Sequence, residues 1–226
     1  MLIFGIDTCS GAATSAIYDG ERLLAQTVIN HKKTHSQKIM PQVDNLFSLS
    51  ELSVSDIDVF AAAVGPGSFT GVRIGVATIK GMAQALSKPC ISVSTLEALA
   101  YPLSSFDGLV CPILDARRGQ VYNALFENGQ RICPDRALAL SELLDEISGK
   151  KVIFLGDGIF PYRDEILSVM PDAEFAPKVI AMNLAGSVCE VAYGKFLKGE
   201  AVLANELVPS YVRLSQAEQS AANGEI

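Results

Sequence analysis

Apolar residues recur along the chain with two periods, and the alternation between them outlines its elements. Residues 2–6 form an apolar run closed by Asp7, and residues 13–18 form a second, the signature of buried strands. Asp19-Gly20 reads as a hairpin turn into a third strand over 22–29. Ile39, Val43, Leu46 and Phe47 then lie on one side of a helix predicted over about 36–48. Pro41 falls in its early part, where a missing N–H and a bulky ring favour a late start or a kink. A strand over 59–64 follows. After it, Phe69, Val72, Val76, Ile79, Ala83 and Leu86 recur at steps of three and four and mark a helix over 70–86. Ser87-Lys88-Pro89 ends that helix, 90–93 forms a strand, and Ser94 or Thr95 caps a short helix to Ala100.

Around 101–108 the pattern restarts. Strands are predicted over 109–114, ending at Asp115, and over 121–126, with Asn128-Gly129 turning into a third short strand. A helix over 141–147, a strand over 152–155 and Gly156-Asp157-Gly158 come next. A helix over 162–169, a strand at 174–175 and a helix over 183–197 complete the second half. Each half reads strand-strand-strand-helix-strand-helix-strand-helix. Meandering strands followed by helix crossovers make a mixed sheet with helices packed on it, so the expected class is α/β with two such lobes. The expected division is a first lobe over 1–100, a reduced second lobe over 101–200, and an extension over 201–226 that frays from Gln216.

Composition narrows the classes. With 49% apolar residues the chain is no disordered segment. No apolar run approaches a bilayer span and Met1-Leu2-Ile3 lacks a basic export start, so a cytoplasmic, unexported protein is expected. Cys9, Cys90, Cys111, Cys133 and Cys189 are odd in number, widely spaced and mostly set among apolar neighbours. They read as reduced core thiols rather than a disulfide framework or zinc site. The net charge of −7 argues against tight direct RNA binding, because counterion release needs clustered cations. Lys32-Lys33, with Lys38 nearby, is the densest basic group.

Candidate chemistry centres on Gly65-Pro66-Gly67-Ser68-Phe69-Thr70-Gly71-Val72-Arg73-Ile74-Gly75, a strand-to-helix turn. Ser68 or Thr70 can cap the helix, whose free N–H groups suit an anion. The lysine of a P-loop is missing, and the third glycine falls one residue late for a dinucleotide fingerprint. A tight turn followed by a close-packed helix is the plainer reading. Gly71, Gly75, Gly81 and Ala85 make a smooth second helix face, either core or partner interface. Asp7-Thr8-Cys9-Ser10-Gly11 ends the first strand. It has the chemistry to meet a hydrated cation and a phosphate, or simply to bond internally as a turn.

His31 and His35 have the i,i+4 spacing of paired zinc ligands, but Lys32 stands where a zinc protease carries glutamate. With no further histidine in the chain, the spacing reads as coincidence and no metal is expected. No G-x-S-x-G nucleophile elbow occurs, and no catalytic residue is assigned. Asp115, Arg117 and Arg118 border a hairpin between the halves, either an exposed turn or a contact to a partner or cleft ligand.

GPGSFTGVRIG resembles the signature of the TsaB (YeaZ) family. Ile6-Asp7-Thr8, His35-Ser36-Gln37 with Met40-Pro41, and Val93-Ser94-Thr95-Leu96-Glu97-Ala98-Leu99 agree with it. So do Leu114-Asp115-Ala116-Arg117-Arg118-Gly119-Gln120-Val121-Tyr122 and Pro209-Ser210-Tyr211-Val212-Arg213.

The resemblance implies two actin-like (ASKHA) lobes and a non-catalytic scaffold subunit. Its implied partners are TsaD, as a heterodimer, and TsaE. The complex moves threonylcarbamoyl from threonylcarbamoyl-AMP to N6 of the adenosine beside the anticodon, in tRNAs reading codons that begin with A. Transfer RNA is met only through that complex. No cofactor of its own is implied, although a nucleotide could lodge at the partner interface.

Asp7, Thr8 and Ser10 would be a vestigial phosphate-binding turn. His35, Met40, Leu46, Gly71, Arg73, Gly75 and Met82 would form the interface to TsaD, or to a second copy in a homodimer. On that view a bulky residue at Gly75 disturbs docking while the lobe stays folded. The alternative is an autonomous actin-like enzyme, a small-molecule kinase or a metallopeptidase-like protein. The short second half, the unmatched histidine pair and the lack of a late adenosine-binding glycine pair weigh against it, since Gly186 and Gly194 lie within a helix pattern.

Overall fold

In the computed structural model, residues 1–31 and 34–213 are described. The first apolar run becomes β1 (Ile3–Asp7), paired antiparallel with β2 (Ala13–Tyr18), which pairs antiparallel with β3 (Leu23–Ile29). Strand β4 (Val59–Ala63) adds parallel to β1, and β5 (Cys90–Val93) adds parallel to β4, giving the order β3-β2-β1-β4-β5. Helices α1 (His35–Ser50) and α2 (Phe69–Leu86) pack on this sheet, and α3 (Thr95–Ala100) leads away from it.

Helix α1 runs through Pro41 from His35, so the late start expected from that proline does not occur. Burying Ile39, Val43, Leu46 and Phe47 is worth about 1.5–3 kcal/mol each, which outweighs the roughly 3 kcal/mol a mid-helix proline costs.

The second sheet repeats the first strand for strand. Strands β6 (Leu109–Arg117) and β7 (Gln120–Asn123) pair antiparallel, and a small hairpin of β8 (Phe126–Glu127) and β9 (Gln130–Arg131) is appended to β6. The third meander strand is β10 (Arg136–Ala139), antiparallel to β7. Asn128-Gly129 therefore turns the appended hairpin, and the run expected over 121–126 breaks between β7 and β8. Helix α4 (Leu140–Glu146), β11 (Val152–Leu155), α5 (Ile159–Val169) and β12 (Glu174–Phe175) complete the order β10-β7-β6-β11-β12.

Helix α6 (Ala185–Leu197) does not stay with the half that encodes it. It lies on β1, β2 and β5, and its Ala185, Val188, Cys189, Val191 and Ala192 belong to the first core. Side chains alternate across a strand. Phe4 meets Phe47 of α1 and Ile6 lies beside α2, whereas Gly5 faces α6, where a Cβ would approach Cys189 Sγ to 2.6 Å. A sheet with two apolar faces needs cover on both, and α6 supplies the second.

The extension returns as well. Val202 bridges Cys90, Ala204 and Leu207 enter the first core, and Lys80 Nζ donates to the carbonyls of Asn205 and Leu207. The expected boundaries at 100 and 200 thus give way to a first lobe that includes 185–207. The fraying expected from Gln216 lies outside the described residues.

Candidate functional site: the cleft between the lobes

The turn after β1 is held from within. Asp7 is fully buried; its Oδ1 accepts from Cys9 N at 2.7 Å and its Oδ2 from Asn183 Nδ2 at 2.7 Å. Burial raises its pKa, and these hydrogen bonds offset part of the rise. Thr8 Oγ1 donates to the Gly71 carbonyl at 2.7 Å, and Ser68 N donates to the Cys9 carbonyl at 2.7 Å. Of the turn residues expected to face a phosphate, Asp7 and Thr8 point into the core, and only Ser10 lines the cleft. Cys9 is no poised nucleophile, because burial and then the Asp7 charge hold its thiol pKa far up.

Helix α2 starts where the loop predicts, with Ser68 Oγ accepting from Gly71 N at 3.2 Å. Its smooth face is open only over its second half, where Gly81 and Ala85 are exposed. Gly71 and Gly75 are buried against Thr8, where a Cβ at Gly71 would strike the Thr8 carbonyl and one at Gly75 would lie 2.6 Å from Thr8 Oγ1. Leu46 is likewise core, at 2% exposure, and Met82 is partly buried against the same core. These four do not form the exposed face expected of them. Met40 does stand out, at 52% exposure. Arg73 is exposed, lies 3.8 Å over the Phe69 ring and donates to the Tyr211 hydroxyl at 2.8 Å.

His35 Nε2 donates to the Ser10 carbonyl at 2.8 Å, which assigns the ring proton and leaves Nδ1 without a partner among the described residues. His31 precedes the helix and its carbonyl accepts from the Lys38 ammonium, so the two histidines share no helical face. Among the described residues no three His, Cys, Asp or Glu side chains converge as a metal site.

A cleft of about 970 Å³ separates the lobes. The first lobe contributes the 66–70 loop, Ser10 and His35; the second contributes 114–118, Tyr122 and Asp157. Asp157 Oδ1 accepts from Asp115 N at 3.0 Å, and burial raises the Asp157 pKa. Asp115 Oδ1 in turn accepts from Arg117 N at 2.8 Å and from the Tyr162 hydroxyl at 3.1 Å.

Residues 210–213 close one side of the cleft. Ser210 N donates to the Val64 carbonyl, Tyr211 stacks on Phe69 at 4.7 Å, and Arg213 Nη1 reaches the Ala116 carbonyl at 3.1 Å. Sequence reasoning did not assign Tyr211, Arg213 or Asn183 to the site. The Pro209–Arg213 motif marked two of them; nothing local marked Asn183, which meets Asp7 from 176 residues away.

Two lobes of matching strand order around one cleft make this an actin-like α/β protein. A solved structure from Pseudomonas aeruginosa, a protein with similarity to peptidase YeaZ, superposes with a TM-score of 0.79. It is 25% identical, and the match covers 94% of this chain and 99% of that one. The family model described as "TsaD: tRNA N6-adenosine threonylcarbamoyltransferase" matches residues 22–220. The tRNA threonylcarbamoyladenosine biosynthesis protein TsaB of Bacillus subtilis (strain 168) is 37% identical over 225 residues, 96% of each chain. The protein of that name from Escherichia coli (strain K12) is 31% identical over 226 residues, 94% of this chain and 95% of that one. The chain belongs to the TsaB (YeaZ) family. No helix among the described residues is long and apolar enough to cross a membrane.

Proposed function

We propose that this chain is a non-catalytic, cytoplasmic accessory subunit in the synthesis of tRNA threonylcarbamoyladenosine. It works beside a TsaD-type transferase, with a TsaE-type ATPase joining the assembly. The observation that carries the reading is identity of 37% along 96% of the chain to a protein named for that pathway. The turn after β1 supports the non-catalytic part. The carboxylate and hydroxyl that could serve a cation and a phosphate are engaged by Cys9 N, Asn183 and the Gly71 carbonyl. On this reading the chain has no cofactor of its own, a nucleotide lodges where the partner docks, and tRNA is met through the complex. The docking face includes Met40 on α1 and Arg73 on α2, and a second copy occupies it when the transferase is absent.

Co-expression with the host's TsaD-type protein tests this directly. The two should co-purify, and threonylcarbamoyl transfer to tRNA should need both. Transfer by this chain alone, or by the transferase at full rate without it, sinks the reading.

A further inference from the structure

One part of the second sheet has no counterpart in the first: the β8–β9 hairpin, which pairs with β6 outside the main strand order. It does not continue that order, and the residues at its end reach towards the other lobe.

What they reach is α3, which both cores share. Ala98 belongs to the first core, whereas Leu96, Leu99 and Ala100 belong to the second. Ser94 caps this helix, its Oγ accepting from Glu97 N at 3.3 Å. The same hydroxyl donates to Asp135 Oδ2 of the second lobe at 2.7 Å. Asp135 Oδ1 accepts from Arg131 Nη1 at 2.5 Å, so both carboxylate oxygens are used. Arg131, on β9, lies 4.8 Å over the Phe126 ring of β8 and brings Nη2 to 3.7 Å from Glu97 Oε2. Lys195 of α6 approaches the same Glu97 oxygen at 4.0 Å.

These contacts differ from scattered surface pairs. The side chains of Asp135 and Arg131 are only 17% and 29% exposed. Hydrogen bonds and an aromatic platform hold their geometry, which an exposed ion pair lacks. They also form one connected chain from β9 through Asp135 to Ser94, and through Glu97 to α6. None of the five side chains lines the cleft.

The backbone passes from lobe to lobe after α3 and again before α6. Lobes joined by such connections move relative to one another by default, unless an interface restrains them. A hydrogen bond weakens steeply beyond its normal length, so a swing that moves the hairpin by about 1–2 Å breaks the Ser94–Asp135 bond.

We propose that the β8–β9 hairpin is a clasp that locks the two lobes at one angle, with Asp135 as its central link. The cleft is thereby held at one width. The lock stands on contacts between the lobes and does not depend on which protein docks at α1.

The full chain should carry nitroxide labels at Asn45→Cys on α1 and Asp164→Cys on α5, both exposed sites. A Cys133→Ser background leaves only buried native thiols. Pulsed electron paramagnetic resonance then reads the distance between the lobes. The labelled parent should give one narrow distance. Asp135→Ala should raise the population at other distances about tenfold or more, the change expected for two lost charge-assisted hydrogen bonds. Arg131→Gln, which keeps the Ser94–Asp135 bond, should act in the same direction more weakly. Arg22→Gln breaks an exposed pair with Asp19 inside the first lobe and should change nothing. Circular dichroism should be the same for all. If Asp135→Ala fails to fold, Arg131→Gln decides alone. A broad distribution in the parent, clasp variants as narrow as the parent, or equal broadening by Arg22→Gln overturns the proposal.

Discussion

Gly75 shows how one residue's role depends on what faces it. Its missing side chain lets α2 approach the turn after β1, where a Cβ would lie 2.6 Å from Thr8 Oγ1. Gly75→Leu is therefore expected to destabilise the lobe by at least about 3 kcal/mol, the upper range for overpacking, as read by urea denaturation. A variant as stable as the parent would show that the contact yields.

Asp7 offers a second test. Burial lifts its folded pKa above the unfolded reference of 3.8, so the folded state binds the proton more tightly. The ionised form then costs stability at neutral pH, and the cost fades as pH falls through the raised folded pKa toward 3.8. An asparagine here can accept from Cys9 N and donate to Asn183 Oδ1, which has no partner among the described residues. Asp7→Asn should match or exceed the parent's melting temperature at pH 7, with the difference closing toward about pH 4. A gap that widens on acidification would contradict the sign.

Elements show the same dependence over longer distances. Periodicity marked α6 correctly, but its partner is the first sheet, and the 202–207 segment follows it there. Leu207 from this segment is fully buried. Leu207→Ala should cost about 2–4 kcal/mol, a core-sized loss, whereas a loose extension would lose almost nothing. Helix α1 presents the opposite case. Met40 is exposed on a helix whose other face is core, so Met40→Asp should leave the circular dichroism spectrum unchanged. Capture of a TsaD-type partner should fall about tenfold, the effect of losing a buried interface side chain. Unchanged capture would place the docking face elsewhere.

For the molecule as a whole, the first core is assembled from both ends of the chain. A fragment of residues 1–100 lacks α6 and the Val202–Leu207 segment, leaving the Gly5 face of β1 uncovered. It is expected to lack cooperative unfolding and to bind a hydrophobic dye, measured by thermal circular dichroism and fluorescence. Independent cooperative folding would restore the boundary at 100. The two matching sheets were legible because each strand and helix announces itself over a short stretch of chain. The inserted β8–β9 hairpin was misplaced because two short runs joined by Asn-Gly satisfy the same local rule as a meander strand.

From sequence alone came the element order, the α/β class, the capped glycine loop and, through its motifs, the family. These follow from local periodicity, capping and turn chemistry, which act between near neighbours. Tertiary structure alone decided that Gly71 and Gly75 face Thr8, that α6 crosses to the first lobe, that Asn183 seals Asp7 and that Arg117 and Arg118 line a shared cleft. An apolar or charged face can be read from spacing, but which surface covers it is settled by competition among all the faces the fold brings together.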